Sequence, residues 1–117
     1  MSVVKNYTKT GSKCRVTFKL NSELARRFHA EQVVVVGDFC DWAREKGLKM
    51  KVLKDGSFSL TTTLPSGRDY HFKYLINDQL WENDEAPDDW VNDGSGNYNS
   101  LLHLEEGLPA TDSLASA

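Results

Sequence analysis

Three tryptophans, Trp42, Trp81 and Trp90, fall at or beside turn signals in a chain of 117 residues that also carries four tyrosines. One core layer of so small a domain needs fewer large aromatics, so rings placed at turns call for a use near water. An exposed indole buries much apolar area with little loss of side-chain entropy, which suits the C–H face of a flat, ring-shaped ligand. Amide and ammonium groups close by would then fix hydroxyls on the rim of that ring. The chemistry such a set can perform is recognition of a polyhydroxylated ring.

Other chemistries fit the residues less well. Glu82, Asp84, Glu85, Asp88, Asp89 and Asp93 supply carboxylates without the spacing of a calcium loop, and they read as a solvated acidic loop. His29, His71 and His103 lie far apart with no Cys or Glu at ligand spacing, so zinc is not expected. No metal and no cofactor is therefore predicted. Glycoside cleavage needs two carboxylates held across a cleft, and nothing in the acidic loop fixes such a pair, so no enzyme activity is predicted either.

Composition narrows the partners. The net charge is −3, and no basic stripe exists to replace counterions on phosphate, which argues against nucleic acid. Lys49, Lys51 and Lys54 alternate with Leu48, Met50 and Val52, the pattern of a solvated strand face. No apolar run approaches the roughly 18 to 20 residues of a membrane span, and residues 1–12 are too polar for the centre of a secretory signal. A cytoplasmic location is the expectation, with Cys14 and Cys40 as reduced thiols and the Asn6-Tyr7-Thr8 sequon a coincidence.

The elements that would position the aromatics read as short strands. Cys14, Val16, Phe18 and Leu20 alternate with Lys13, Arg15, Thr17 and Lys19, a half-buried strand over 13–20. Ser22 is a candidate cap for one or two helical turns in which Leu24 and Phe28 share a face. Residues 32–36 are rich in valine and predict a central strand covered on both faces and ended by Gly37. Residues 48–54 and 58–64 alternate around Asp55-Gly56 as a hairpin. After Pro65-Ser66-Gly67, Tyr70, Phe72, Tyr74 and Ile76 share one face, with His71, Lys73 and Leu75 on the other. Asn77-Asp78-Gln79 turns the chain into 80–82, a polar loop covers 83–97, and 99–104 closes the set. About seven strands without a long amphipathic helix predict an all-β antiparallel sandwich of immunoglobulin-like type. The expected division is an N-terminal arm over 1–12, one domain over 13–106 and a flexible tail over 107–117.

Three segments carry a family likeness. Val33-Val34-Val35-Val36-Gly37-Asp38-Phe39-Cys40-Asp41-Trp42, then 70–81 from Tyr70 through Asn77-Asp78-Gln79 to Trp81, then Gly96-Asn97-Tyr98-Asn99-Ser100-Leu101 resemble carbohydrate-binding modules of family 48. That family includes the glycogen-binding domain of AMP-activated protein kinase β subunits and the early-set domains of isoamylases and branching enzymes. The likeness spans roughly 14–104 and implies an early-set sandwich that binds an α-glucan such as glycogen without cleaving it. By position it assigns the sugar platform to Trp42 and Trp81 and the hydroxyl contacts to Lys73, Asn97 and Asn99; the loop before Gly96 is longer than in relatives and carries Trp90, a candidate extra contact that equally fits packing on the loop. Taken singly, Trp42 also fits a core anchor, Lys73 a solvent-facing strand residue, and Asn97 and Asn99 turn formers. Cys40 replaces an Asn common in relatives, and Ser95 replaces an apolar residue that enters the sugar ring. Those departures supply the alternative, an interaction or scaffold module for a protein partner that has lost sugar binding, or an accessory to a glycoside hydrolase of family 13.

Overall fold

The alternation over 13–20 becomes a strand because Cys14, Val16, Phe18 and Leu20 are all buried while Lys13, Arg15 and Lys19 face water. In the computed structural model, which describes residues 3–105, this strand, β2 (Lys13–Leu20), pairs along its whole length with β6 (Phe58–Pro65). Two further strands complete a four-stranded sheet in the order β1-β2-β6-β5, with β1 spanning Val3–Tyr7 and β5 spanning Lys51–Val52. A second sheet runs β4-β3-β7-β10-β9, from β4 (Leu48–Lys49), β3 (Val33–Gly37) and β7 (Arg68–Ile76) to β10 (Tyr98–Leu104) and β9 (Asp89–Asn92). The short strand β8 (Leu80–Glu82) also pairs with β7. Every pairing is antiparallel, and the two sheets make an all-β sandwich as the turn spacing predicts.

Between the sheets Phe18 meets Phe72 edge to face at 5.0 Å, and Phe72 meets Tyr74 at 5.8 Å. Each such side chain contributes roughly 1.5–3 kcal/mol by burial, and edge-to-face contact adds about 0.5–1.5 kcal/mol. A smaller cluster of Val36, Cys40 and Leu75 lies apart from this core. It covers the outer face of the second sheet, so β3 is buried on both sides as its run of valines requires.

Several local expectations need correction. The arm expected over 1–12 contains β1, an edge strand whose Val3 reaches the core; its five residues alternate too briefly to stand out in the sequence. The tail expected over 107–117 lies outside the described residues. The helix α1 (Ser22–Arg27) is capped by Asn21, whose side-chain oxygen accepts the Leu24 N–H, and Ser22 is its first residue. The strand expected over 48–54 is two strands. Buried Met50 marks the crossing, where β4 leaves β3 in one sheet and β5 joins β6 in the other, so only its second half forms the Asp55-Gly56 hairpin. The 83–97 loop contains β9, so Trp90 sits within a strand, whereas Trp81 sits in β8 directly after the 77–79 turn as expected. The described residues thus hold ten short strands in place of about seven.

The segment after β8 crosses the inner face of β10 and carries a buried carboxylate, Asp84. The Tyr74 hydroxyl donates to Asp84 Oδ2 at 2.6 Å, Ala86 N–H donates to Oδ1, and Asp84 N–H donates to the Ser100 hydroxyl. Burial, and after it the negative charge of Asp84, holds the Tyr74 phenol well above its ordinary pKa, so it stays a donor. Removing it leaves a buried acceptor short of a partner. Tyr74→Phe is therefore expected to destabilise the fold by about 1–3 kcal/mol; a lower urea midpoint at unchanged slope is the readout.

Candidate functional site

The outer face of β7 presents His71, Lys73 and Leu75, the residues that alternate with the buried Tyr70, Phe72, Tyr74 and Ile76. Directly opposed residues in an antiparallel pair share a face. On one side Val36 of β3 stands against Lys73; on the other Trp81 of β8 stands against Leu75. The β10 register sets Ser100 against Phe72, so Asn99 continues it beside Lys73, with Val91 of β9 beyond. Lys73 is thereby flanked by an indole and an amide along one edge of its strand.

Trp42 comes from above. Gly37 ends β3 so close to β7 that a Cβ there would lie 2.3 Å from the His71 carbonyl oxygen. The chain then makes one 3₁₀ turn over Asp38–Cys40 and passes through Asp41 and Trp42, both left-handed at φ 54° and 60°. Such a conformation costs non-glycine residues roughly 1–3 kcal/mol each and persists where surrounding contacts impose it. Here the Trp42 N–H donates to Gly37 O at 3.0 Å, and its indole N–H donates to Asp38 Oδ1 at 2.9 Å. The other Asp38 oxygen accepts the His71 backbone N–H at 2.7 Å. One carboxylate thus locks the indole to β7, while the ring packs against Val36, Cys40 and Leu75. Cys40 closes the turn, its thiol donating to Gly37 O.

The third contribution is the turn between β9 and β10. Asp93 N–H donates to Asn97 O, and Asp93 Oδ1 accepts both the backbone N–H and the hydroxyl of Ser95. Gly94 and Gly96, at φ 94° and 97°, supply the left-handed positions that let so tight a loop close. The two bonds from Ser95, with a smaller contribution from the Lys73 charge, hold the Asp93 carboxyl below its ordinary 3.8.

Trp42, Lys73, Trp81, Asp93, Asn97 and Asn99 together line an open cleft of about 500 Å³. Trp81 is 38% exposed, and Trp42 is half-buried with its indole N–H held by Asp38. Five of the residues singled out in the sequence thus meet in one place. Trp90 does not line this cleft: it opposes Ser100, whose side chain is buried, whereas the cleft residue Asn99 opposes Val91. It therefore stands on the opposite face of β9. Asp93 was missed as a lining residue; the turn-forming run Asp93-Gly94-Ser95-Gly96-Asn97 was its only signal. No group of three or more potential metal ligands occurs among the described residues.

Fold and cleft together define a β-sandwich module with an open aromatic and polar surface site. The chain matches the family model described as the glycogen recognition site of AMP-activated protein kinase over residues 21–109, most of its length, and it belongs to that family. No curated protein matches it. Among solved structures it is similar to the enterobactin esterase of Shigella flexneri, with a TM-score of 0.70 at 10% identity. That match covers 92% of this chain and 33% of the esterase, so the chain spans about a third of that protein's length, and the likeness is one of fold alone.

A carboxyl pKa lowered by folding contributes stability that is present above the ordinary value and is lost as pH falls through the folded one. Asp93 is accordingly expected to titrate by carboxyl NMR with a midpoint below 3.8, and Ser95→Ala to move that midpoint back towards 3.8. An unmoved midpoint in the variant would show that Ser95 does not hold the turn.

Proposed function

We propose that this domain binds an α-glucan of the glycogen or starch type without catalysis, stacking glucose rings on Trp42 and Trp81. The single observation behind this reading is the convergence of two indoles, an ammonium and two amides from four strand-connected segments on one open cleft. Membership in a glycogen recognition family supports the ligand class. The ring faces would take the C–H patches of the sugar, while Lys73, Asn97 and Asn99 would serve its hydroxyls as donors and acceptors. Asp93, ionised at neutral pH, adds an acceptor for a sugar hydroxyl.

The non-catalytic reading rests on the same lining. Glycosidic cleavage uses two carboxyl groups across the bond, and Asp93 is the one carboxylate that lines the cleft among the described residues. Binding at so open a site is weak and reversible, since little of the sugar leaves water. The buried free thiols Cys14 and Cys40 fit a reducing compartment, in line with a cytoplasmic setting. No helix among the described residues is long and apolar enough to cross a membrane.

Titration with maltoheptaose, followed by the indole N–H signals, tests the reading. The Trp42 and Trp81 signals should shift saturably at millimolar sugar, and Trp81→Ala should weaken binding at least tenfold, about 1.4 kcal/mol. A Trp81 signal that stays in place throughout would overturn the proposal. Retention of a protein partner by a sugar-blind Trp81→Ala variant would instead favour the scaffold alternative.

A further inference from the structure

The alternation of β9 and β10 that points Asn99 into the cleft points other residues the opposite way. Trp90 opposes Ser100 and Tyr98 opposes Asn92, so Trp90, Asn92 and Tyr98 share the face turned away from the cleft. Further along that face Leu102 and Leu104 are fully in the core, but Trp90 and Tyr98 are each 49% exposed. The reason lies in the sheet order: β9 is the outermost strand of its sheet. Two large aromatic rings therefore occupy diagonal positions on adjacent strands, roughly 7–8 Å apart at the backbone, with half their surface in water.

The buried core does not account for both rings being there. Neither belongs to a buried cluster or to an aromatic pair of the core. Among the described residues the Trp90 indole N–H and the Tyr98 hydroxyl have no hydrogen-bond partner, whereas the Trp42 indole N–H is tied to Asp38. Flat apolar faces whose polar edges bond no protein group, beside the Asn92 amide, repeat the chemistry of the first cleft on the other side of one hairpin.

We infer that Trp90 and Tyr98 form a second, independent stacking platform for the same neutral glucan, on the opposite face of the β9–β10 hairpin from the Trp42–Trp81 cleft. The inference rests on the glucan reading of that cleft. A polymeric, branched ligand is what makes a second platform useful: two weak sites on one rigid domain can engage neighbouring chains of a single particle, and the second contact is then intramolecular. A short oligosaccharide fills either site alone. With an effective concentration in the millimolar range and site affinities of similar size, the gain is modest, on the order of threefold to tenfold in apparent affinity for the polymer.

The test uses the full chain, with the three indole signals assigned, titrated with maltoheptaose and then with glycogen. In Trp81→Ala, where the first cleft is disabled, the Trp90 indole signal should still shift saturably with maltoheptaose. In Trp90→Ala, maltoheptaose should still shift Trp81 with unchanged affinity, while apparent affinity for glycogen falls threefold or more. Both rings are half-exposed, so an unchanged amide fingerprint is expected for the second variant and verifies its fold. If Trp81 shifts in the parent protein and Trp90 never does, the second platform is overturned and the first reading stands. If no indole responds, both fall. A Trp90 shift that follows protein concentration without sugar would identify the patch as a contact between copies and overturn the inference.

Discussion

The outer face of the second sheet is organised by one carboxylate. Asp38 accepts the Trp42 indole N–H with one oxygen and the His71 backbone N–H with the other, joining the segment after β3 to the strand that carries Lys73. It can do so because Gly37 lets β3 end in direct contact with the backbone of β7, where any Cβ would collide with the His71 carbonyl. A left-handed tryptophan would otherwise relax to an ordinary conformation, and its ring would leave the cleft. The Val36, Cys40 and Leu75 cluster below the ring offsets that conformational cost and keeps its packed face dry.

That constraint explains why the fold alone does not define the function. A sandwich similar at 10% identity to a third of an esterase shares architecture, and architecture is common to many activities. What distinguishes this chain is the set of side chains that the outer face collects: two rings, an ammonium, two amides and a carboxylate. The inner face is spent on the core, which leaves the outer face and the outermost strand β9 as open surface.

Much of this was legible in the residues. Period-two alternation in β2 and β7 specified which side of each strand is buried, and the two-sided burial of β3 followed from four consecutive valines. The position of Lys73 on the open face came from the same alternation. What escaped was short or non-local. Five residues of β1 and four of β9 are too few to display a period, and the crossing at Met50 depends on which sheet offers a free edge, a tertiary fact. Trp90 looked like a loop residue beside the cleft because its strand was not recognised; once β9 is paired, one step of register puts it on the other side. Asp93 enters the cleft through turn geometry that Gly94 and Gly96 permit, and no spacing rule announces it.

A crystal structure of the domain with maltoheptaose would show whether the two indoles hold the sugar. A glucose ring is expected with its C–H face in van der Waals contact, about 3.5–4 Å, with both the Trp42 and the Trp81 rings, and with hydroxyls within hydrogen-bond reach of Lys73 and Asn99. Sugar bound in the crystal with that cleft left empty, or held there without contact to either indole, would contradict it.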